Sequence, residues 1–300
     1  MTQDEPDPRD ADARASGARR AESDPTTPSG GRSNLMVRFL SAIVLGPALV
    51  AVVWFGGWAF AGVIIVACLL CYREWVTISA NGESAVILWG GYAVLLAAGV
   101  LAASGQVDVA LGVLGLGAAA GAILAMILRS SLWPVLGVAY AGLPLLALLL
   151  LRQGREGLWA LAIVLAVTWA TDIAAYFAGR TLGGPKLWPA VSPKKTWSGA
   201  IGGLVGAMAA GMLVAGVSGV GSPIAVALLC AVLSVLSQCG DLAESAFKRR
   251  FGVKDSGDLI PGHGGILDRV DGLVAVAVGA AVIGLIGATA GDASLGLSAL

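Results

Sequence analysis

Residues 222–290 read SPIAVALLCAVLSVLSQCGDLAESAFKRRFGVKDSGDLIPGHGGILDRVDGLVAVAVGAAVIGLIGATA, two long apolar runs around a polar centre. A helix rises 1.5 Å per residue, so about 20 apolar residues cross a hydrocarbon core about 30 Å thick. Each outer run meets that length. The centre, Asp241 to Gly272, carries much of the charge found outside the first forty residues and holds His263, the sole histidine. A segment that only joined two helices would need none of these acids and bases. The stretch therefore predicts membrane-spanning helices with a site at one of their ends.

Composition agrees. The chain has 300 residues, 57% hydrophobic and 13% charged, whereas soluble domains carry about 25% charged residues. The expected fold class is an all-α integral membrane protein. Nineteen basic and nineteen acidic residues cancel, and seven of the acids lie in the first 24 positions. No extended field favours nucleic acid, so no nucleic-acid partner is expected. Cys68, Cys71, Cys230 and Cys239 all lie in apolar segments and read as ordinary packed residues.

Working outward, residues 1–33 form a polar tail rich in Asp, Arg, Ser, Pro and Gly. It lacks the apolar surface to offset its ordering entropy and is expected to be disordered. Residues 34–300 then form a polytopic membrane domain. Nine spans are expected, near 37–55, 57–72, 84–103, 107–128, 132–151, 157–179, 198–218, 222–246 and 270–290. The first two are joined so tightly, at Phe55-Gly56-Gly57-Trp58, that a re-entrant hairpin is an alternative. Lysines and arginines of short loops face the cytoplasm. That rule puts the loops after the sixth and eighth spans inside, with Arg73 and Arg129. Arg152 and Arg155 are exceptions, falling outside.

Ionisable residues near lipid are costly and mark sites. They cluster in three places. In TWATDIAAYFAGR, residues 168–180, helical spacing aligns Thr168, Asp172, Tyr176 and Gly179 on one stripe ending at Arg180. Asp172 there either pairs with a base between helices or serves a site. The loop LGGPKLWPAVSPKKTWSGAIGG, residues 182–203, is broken by Gly and Pro. Thr196 or Ser198 is a fitting N-cap for the next helix. Lys194 and Lys195 beside that terminus make an anion site or headgroup anchors.

The third cluster is the central stretch. On one helical face it aligns Gln238, Asp241, Ser245 and Lys248, with Glu244 beside them, and after the turn come Asp268 and Asp271. Carboxylates in a first turn gain from the helix dipole. Three converging acids also suit a cation, and oxygen-only ligation suits Mg²⁺ with substrate phosphates. Acids for a metal, bases for phosphates and a place at the bilayer surface together suggest phosphoryl or nucleotidyl transfer on a lipid. His263 reads as an acid/base group or as a turn residue. A transporter is the rival class, but the charges gather at one face and do not line a path through the midplane.

The run SAFKRRFGVKDSGDLIPGHGGILDRVD, from Ser245 to Asp271, resembles the signature of the phosphatidate cytidylyltransferases (CDP-diacylglycerol synthases). Similar elements occur at Asp172 to Arg180 and at Ser192 to Thr196. The resemblance implies transfer of CMP from CTP to phosphatidate with Mg²⁺ and a possible second cation, at the cytoplasmic face of a bacterial plasma membrane. It implies Asp241, Asp268 and Asp271 as metal candidates. Lys194, Lys195, Lys248, Arg249, Lys254 and Arg269 become phosphate-binding candidates. Ser192, Ser245, Asp255 and His263 would orient substrate, with Tyr176, Arg180 and Thr196 lining its site. Asp172 would be a supporting carboxylate or cation ligand. The resemblance implies a homodimer as well. Gly272 departs mildly from the pattern, where a small polar residue is expected.

Overall fold

The structure, a computed structural model, describes residues 43, 46–79, 84–219, 221–257, 259, 264–287 and 297. The polar N-terminal tail, residues 37–42, 44 and 45 of the first expected span, and His263 lie outside the described residues. The helices are α1 (Gly46–Phe55), α2 (Gly57–Ser79), α3 (Ala85–Ala103), α4 (Val107–Leu128), α5 (Trp133–Gln153) and α6 (Gly157–Leu182), followed by α7 (Trp197–Ser218), α8 (Pro223–Arg250) and α9 (Leu267–Gly287). Eight of them, α2 to α9, are long and apolar enough to cross a membrane. The protein is an integral membrane protein built almost wholly of helices.

Two departures from the expected boundaries matter. α2 runs to Ser79, well past the expected end at residue 72, and α8 runs to Arg250. Each therefore carries charged residues on its last turns: Arg73 and Glu74 on α2, and Asp241 to Arg250 on α8. The loop after α6 is also more regular than Gly and Pro suggested. It contains an antiparallel hairpin, β1 (Lys186–Trp188) and β2 (Ser192–Thr196), with Lys186 opposite Thr196. Gly183 and Gly184, at φ 62° and 103°, make the reversal out of α6, a backbone region that glycine enters at little cost.

α5 is the hub of the bundle. It packs on α2, α3 and α4 to one side and on α6 and α9 to the other. The tightest pairing is α6 with α7. A methyl group added at Gly199 would come 2.9 Å from Ala175 O, and one at Gly203 would come 2.9 Å from Thr171 O. Small residues thus bring the two backbones together, as in many membrane helix pairs.

The end of the bundle opposite the charged loops explains an exception to the charge rule. Arg152 at the end of α5 donates Nε to Val53 O at 2.9 Å and a terminal nitrogen to Trp54 O at 3.0 Å. Gln153 likewise donates to Ala102 O at 2.7 Å. The last carbonyls of a helix have no partner of their own, and these two side chains supply partners to α1 and α3. Arg152 is therefore a helix clasp, which accounts for a cation on that face.

At the charged end, aromatic rings tie α2, α5 and α8 together. Trp75 stacks on Phe247 with centroids 3.9 Å apart and on Tyr140 at 4.7 Å. Its Nε1 donates to Trp133 O at 2.8 Å. The stack fixes the last turns of α8 against α2, and so fixes what the charged residues around it can reach.

Candidate active site

α7 begins where Thr196 Oγ1 accepts from Gly199 N at 3.1 Å, so Thr196 is the N-cap. Ser198 instead donates to Gly183 O and ties the α7 entry to the end of α6. With the hairpin pinned at both ends, β2 carries Lys194 and Lys195 over the ends of α6 and α8. A cavity of about 340 Å³ lies beneath them. Asp172, Tyr176 and Arg180 line it from α6, Lys194, Lys195 and Thr196 from the hairpin, and Gln238 and Asp241 from α8.

Inside it, Lys195 Nζ is ion-paired with Asp241 Oδ2. Ser245 Oγ reaches Asp241 Oδ1 at 3.4 Å, a long contact. Arg180 donates to the Tyr176 hydroxyl at 3.2 Å. Gln238 is held by Ala200 O at 3.2 Å and Ser234 Oγ at 3.3 Å, which bridges α8 to α7. Asp271, on the second turn of α9, accepts from Gly272 N at 2.8 Å. Asp172, Asp241 and Asp271 lie within one another's electrostatic reach, and Lys195 is the cation that acts on both Asp172 and Asp271. Three helices and the hairpin therefore bring acids and bases to one place.

Asp268 sits elsewhere. Its Oδ1 takes Lys248 Nζ at 2.6 Å, and its Oδ2 accepts from Ser256 N at 2.9 Å and Gly265 N at 3.1 Å. Lys248 also pairs with Glu244 Oε2 at 2.8 Å. Glu244 is 1% exposed, so Lys248 bridges two carboxylates in a largely dry setting. This cluster knits α8, α9 and the intervening loop together, and Lys248 does not line the cavity.

The remaining candidates are more peripheral. Ser192 opens β2 opposite Trp188. Arg249 is exposed and donates to Val253 O at 3.2 Å. Lys254 and Asp255 are exposed on the loop, and Arg269 is exposed on α9. Among the described residues, no three His, Cys, Asp or Glu side chains meet closely enough to hold a metal by themselves. A magnesium site does not demand that, because one or two carboxylates plus substrate phosphates suffice. Asp172 and Asp241, which share the cavity, offer carboxylate oxygens of the kind such an ion takes.

Sequence reasoning passed over one residue of consequence. Glu74 of α2 is 6% exposed. It accepts from Ser256 Oγ at 2.7 Å, Ile266 N at 2.9 Å and Leu267 N at 2.8 Å. Placing the end of the second span at residue 72 had put it in a loop. The signal available was a carboxylate followed by the helical, largely apolar run Trp75 to Ser79.

A separate apolar groove of about 490 Å³ runs between α5, α8 and α9 past Tyr140 and Pro144. Its lining is almost wholly hydrocarbon, so it has no group for phosphate chemistry.

A helical membrane protein with carboxylates and lysines converging at one end of its bundle is built to handle phosphates at a bilayer surface. The chain belongs to the cytidylyltransferase family, whose model matches residues 36–286. It is 47% identical over 248 residues to a protein of Brucella suis named phosphatidate cytidylyltransferase, covering 82% of this chain and 91% of that one. A Bacillus subtilis protein of the same name is 46% identical over 123 residues, 41% of this chain and 46% of its own. One from Staphylococcus saprophyticus is 43% identical over 145 residues, 47% and 54% of the two chains. The chain is accordingly a nucleotidyltransferase-type enzyme embedded in a membrane.

Proposed function

We propose that the chain transfers CMP from CTP to phosphatidate, yielding CDP-diacylglycerol and pyrophosphate. A phosphate oxygen of phosphatidate forms a bond to the α-phosphorus of CTP, and the bond from that phosphorus to the α–β bridging oxygen breaks, that oxygen leaving with pyrophosphate. The attacking group is already an anion, so the protein need not supply a strong base. What it must supply is position and charge neutralisation. The observation that carries this reading is the cavity in which Lys194, Lys195 and Arg180 stand with Asp172 and Asp241.

Lys195 leaves Asp241 for the triphosphate as nucleotide enters. Lys194 and Arg180 add charge around the same oxygens, and Tyr176 holds Arg180 toward the cavity. Asp241 and Asp271, with Asp172 beside them, would hold Mg²⁺. The ion would neutralise phosphate charge and polarise the phosphoryl group. Asp268 is less suited to that task, because both of its oxygens are engaged by Lys248 and the loop backbone.

The site faces the cytoplasm of a bacterial cell, where CTP is made, and the Lys/Arg asymmetry of the loops supports that orientation. The working unit is a homodimer, as the family resemblance implies; light scattering of the detergent complex tests it. The activity itself is tested with purified protein, phosphatidate, Mg²⁺ and labelled CTP. A lipid-soluble cytidine product is expected, and its absence overturns the reading.

A further inference from the structure

Glu74 of α2 reaches across to the segment between α8 and α9, hydrogen-bonding Ser256 within it and Ile266 and Leu267 where α9 begins. Its two oxygens take the backbone N–H groups of Ile266 and Leu267, which are unpaired donors at the start of α9. Oε2 also takes the hydroxyl of Ser256. Ser256 in turn gives its own backbone N–H to Asp268. Ser256 is thus gripped from two sides, by α2 through its hydroxyl and by α9 through its amide. There is no room for even a methyl group at Gly265 between Ser256 Oγ and the Glu74 carboxylate. Beside this clamp, Trp75 is stacked on Phe247 of α8.

We propose that Glu74 is a positioning residue of the transfer site, which it never touches. It caps α9 from α2, and so sets the rotation and height of the helix turn that presents Asp271 to Asp241 and Asp172. The neighbouring Lys248–Asp268 pair holds the same turn from the α8 side. A carboxylate is needed because three donors converge on two oxygens, and an amide can offer only one acceptor oxygen. The inference rests on the cytidylyl-transfer reading for its kinetic part and on geometry alone for the clamp.

The test is Glu74→Gln in the full-length detergent-purified protein, with Ser256→Ala as a second variant that removes one link and leaves the α9 cap. Two readouts are taken. Amide hydrogen exchange over residues 256–267 should quicken by about tenfold in Glu74→Gln, and by less in Ser256→Ala, with exchange in α3 and α4 unchanged. The Mg²⁺ concentration giving half-maximal rate should rise about fivefold or more, because the carboxylates are no longer preset. A role in folding alone lowers the rate at every Mg²⁺ concentration by the lost folded fraction and leaves that midpoint in place. Unchanged exchange overturns the clamp, and a looser loop with an unchanged Mg²⁺ midpoint overturns the positioning role. If Glu74→Gln does not fold, the same two outcomes are read on Ser256→Ala. Wild-type protein without transferase activity would count against the functional reading instead, and the exchange data would still judge the clamp.

Discussion

Lys195, on the second strand of the hairpin, is ion-paired with Asp241 on α8. The pair closes the cavity with a charge of each sign, and an arriving triphosphate must compete with Asp241 for the lysine. Lys195→Met should lower kcat/KM for CTP by about a hundredfold, the usual scale for losing one preorganised charge contact. Lys186→Met, at a hairpin lysine that does not itself line the cavity, should stay near wild type. Steady-state kinetics at saturating phosphatidate decide this, and equal behaviour of the two variants would contradict the assignment.

Lys248 is expected to matter through stability. It is shared by Glu244 and Asp268, so Lys248→Met leaves buried carboxylates facing each other with no cation. Breaking a buried ion cluster from one side costs about 3 kcal/mol or more. Thermal melts in detergent should show a clear drop for Lys248→Met and a smaller one for Glu244→Gln, which removes charge but keeps an acceptor. Wild-type melting of Lys248→Met together with lost activity would place this lysine on substrate instead.

The α6–α7 seam should be intolerant of bulk. At Gly203 even a methyl group meets Thr171 O, and Gly203→Leu forces the helices apart. Overpacking of this kind costs about 1–3 kcal/mol. Because α6 carries Asp172 and the α7 entry carries Lys195, activity should fall along with the melting temperature. A Gly203→Leu protein with normal activity would mean that the seam does not set the site.

Arg152 is the converse case. It serves the carbonyls of α1 at the far end of the bundle. Arg152→Ala should cost about 1 kcal/mol of stability and leave kcat unchanged at moderate temperature. A selective loss of turnover would argue for a coupling along α5 that the fold does not suggest.

Orientation is open to direct measurement. In a Cys239→Ser background, the exposed loop residue Lys254 is replaced by cysteine, and intact cells are treated with an impermeant maleimide. Labelling should require broken cells. Labelling of intact cells would turn the protein over.

Much of this is legible in the sequence. Apolar run lengths give the spans, and the helical stripe through Asp172, Tyr176 and Gly179 correctly faces the place where Lys194 and Lys195 arrive. The stripe through Asp241 and Lys248 was only half informative. Asp241 does face the cavity, but Lys248 turns to Glu244 and Asp268, a choice set by where the start of α9 places Asp268. Glu74 was illegible as a participant, because its partner Leu267 lies 193 residues away in sequence and no periodicity links the two. The hairpin was hidden as well, since Lys186 to Trp188 is too short to show a strand period.

The central claim is that CMP, and no other part of the nucleotide, is joined to phosphatidate at the cavity between α6, the hairpin and α8. It is tested by running the purified protein with phosphatidate and Mg²⁺ on two batches of CTP, one labelled in the α-phosphorus and one in the γ-phosphorus. The account predicts that the α label enters the lipid fraction while the γ label leaves as pyrophosphate, and that Asp241→Asn abolishes both without lowering the melting temperature. Label from the γ-phosphorus in the lipid, or full transfer by a folded Asp241→Asn protein, would contradict it.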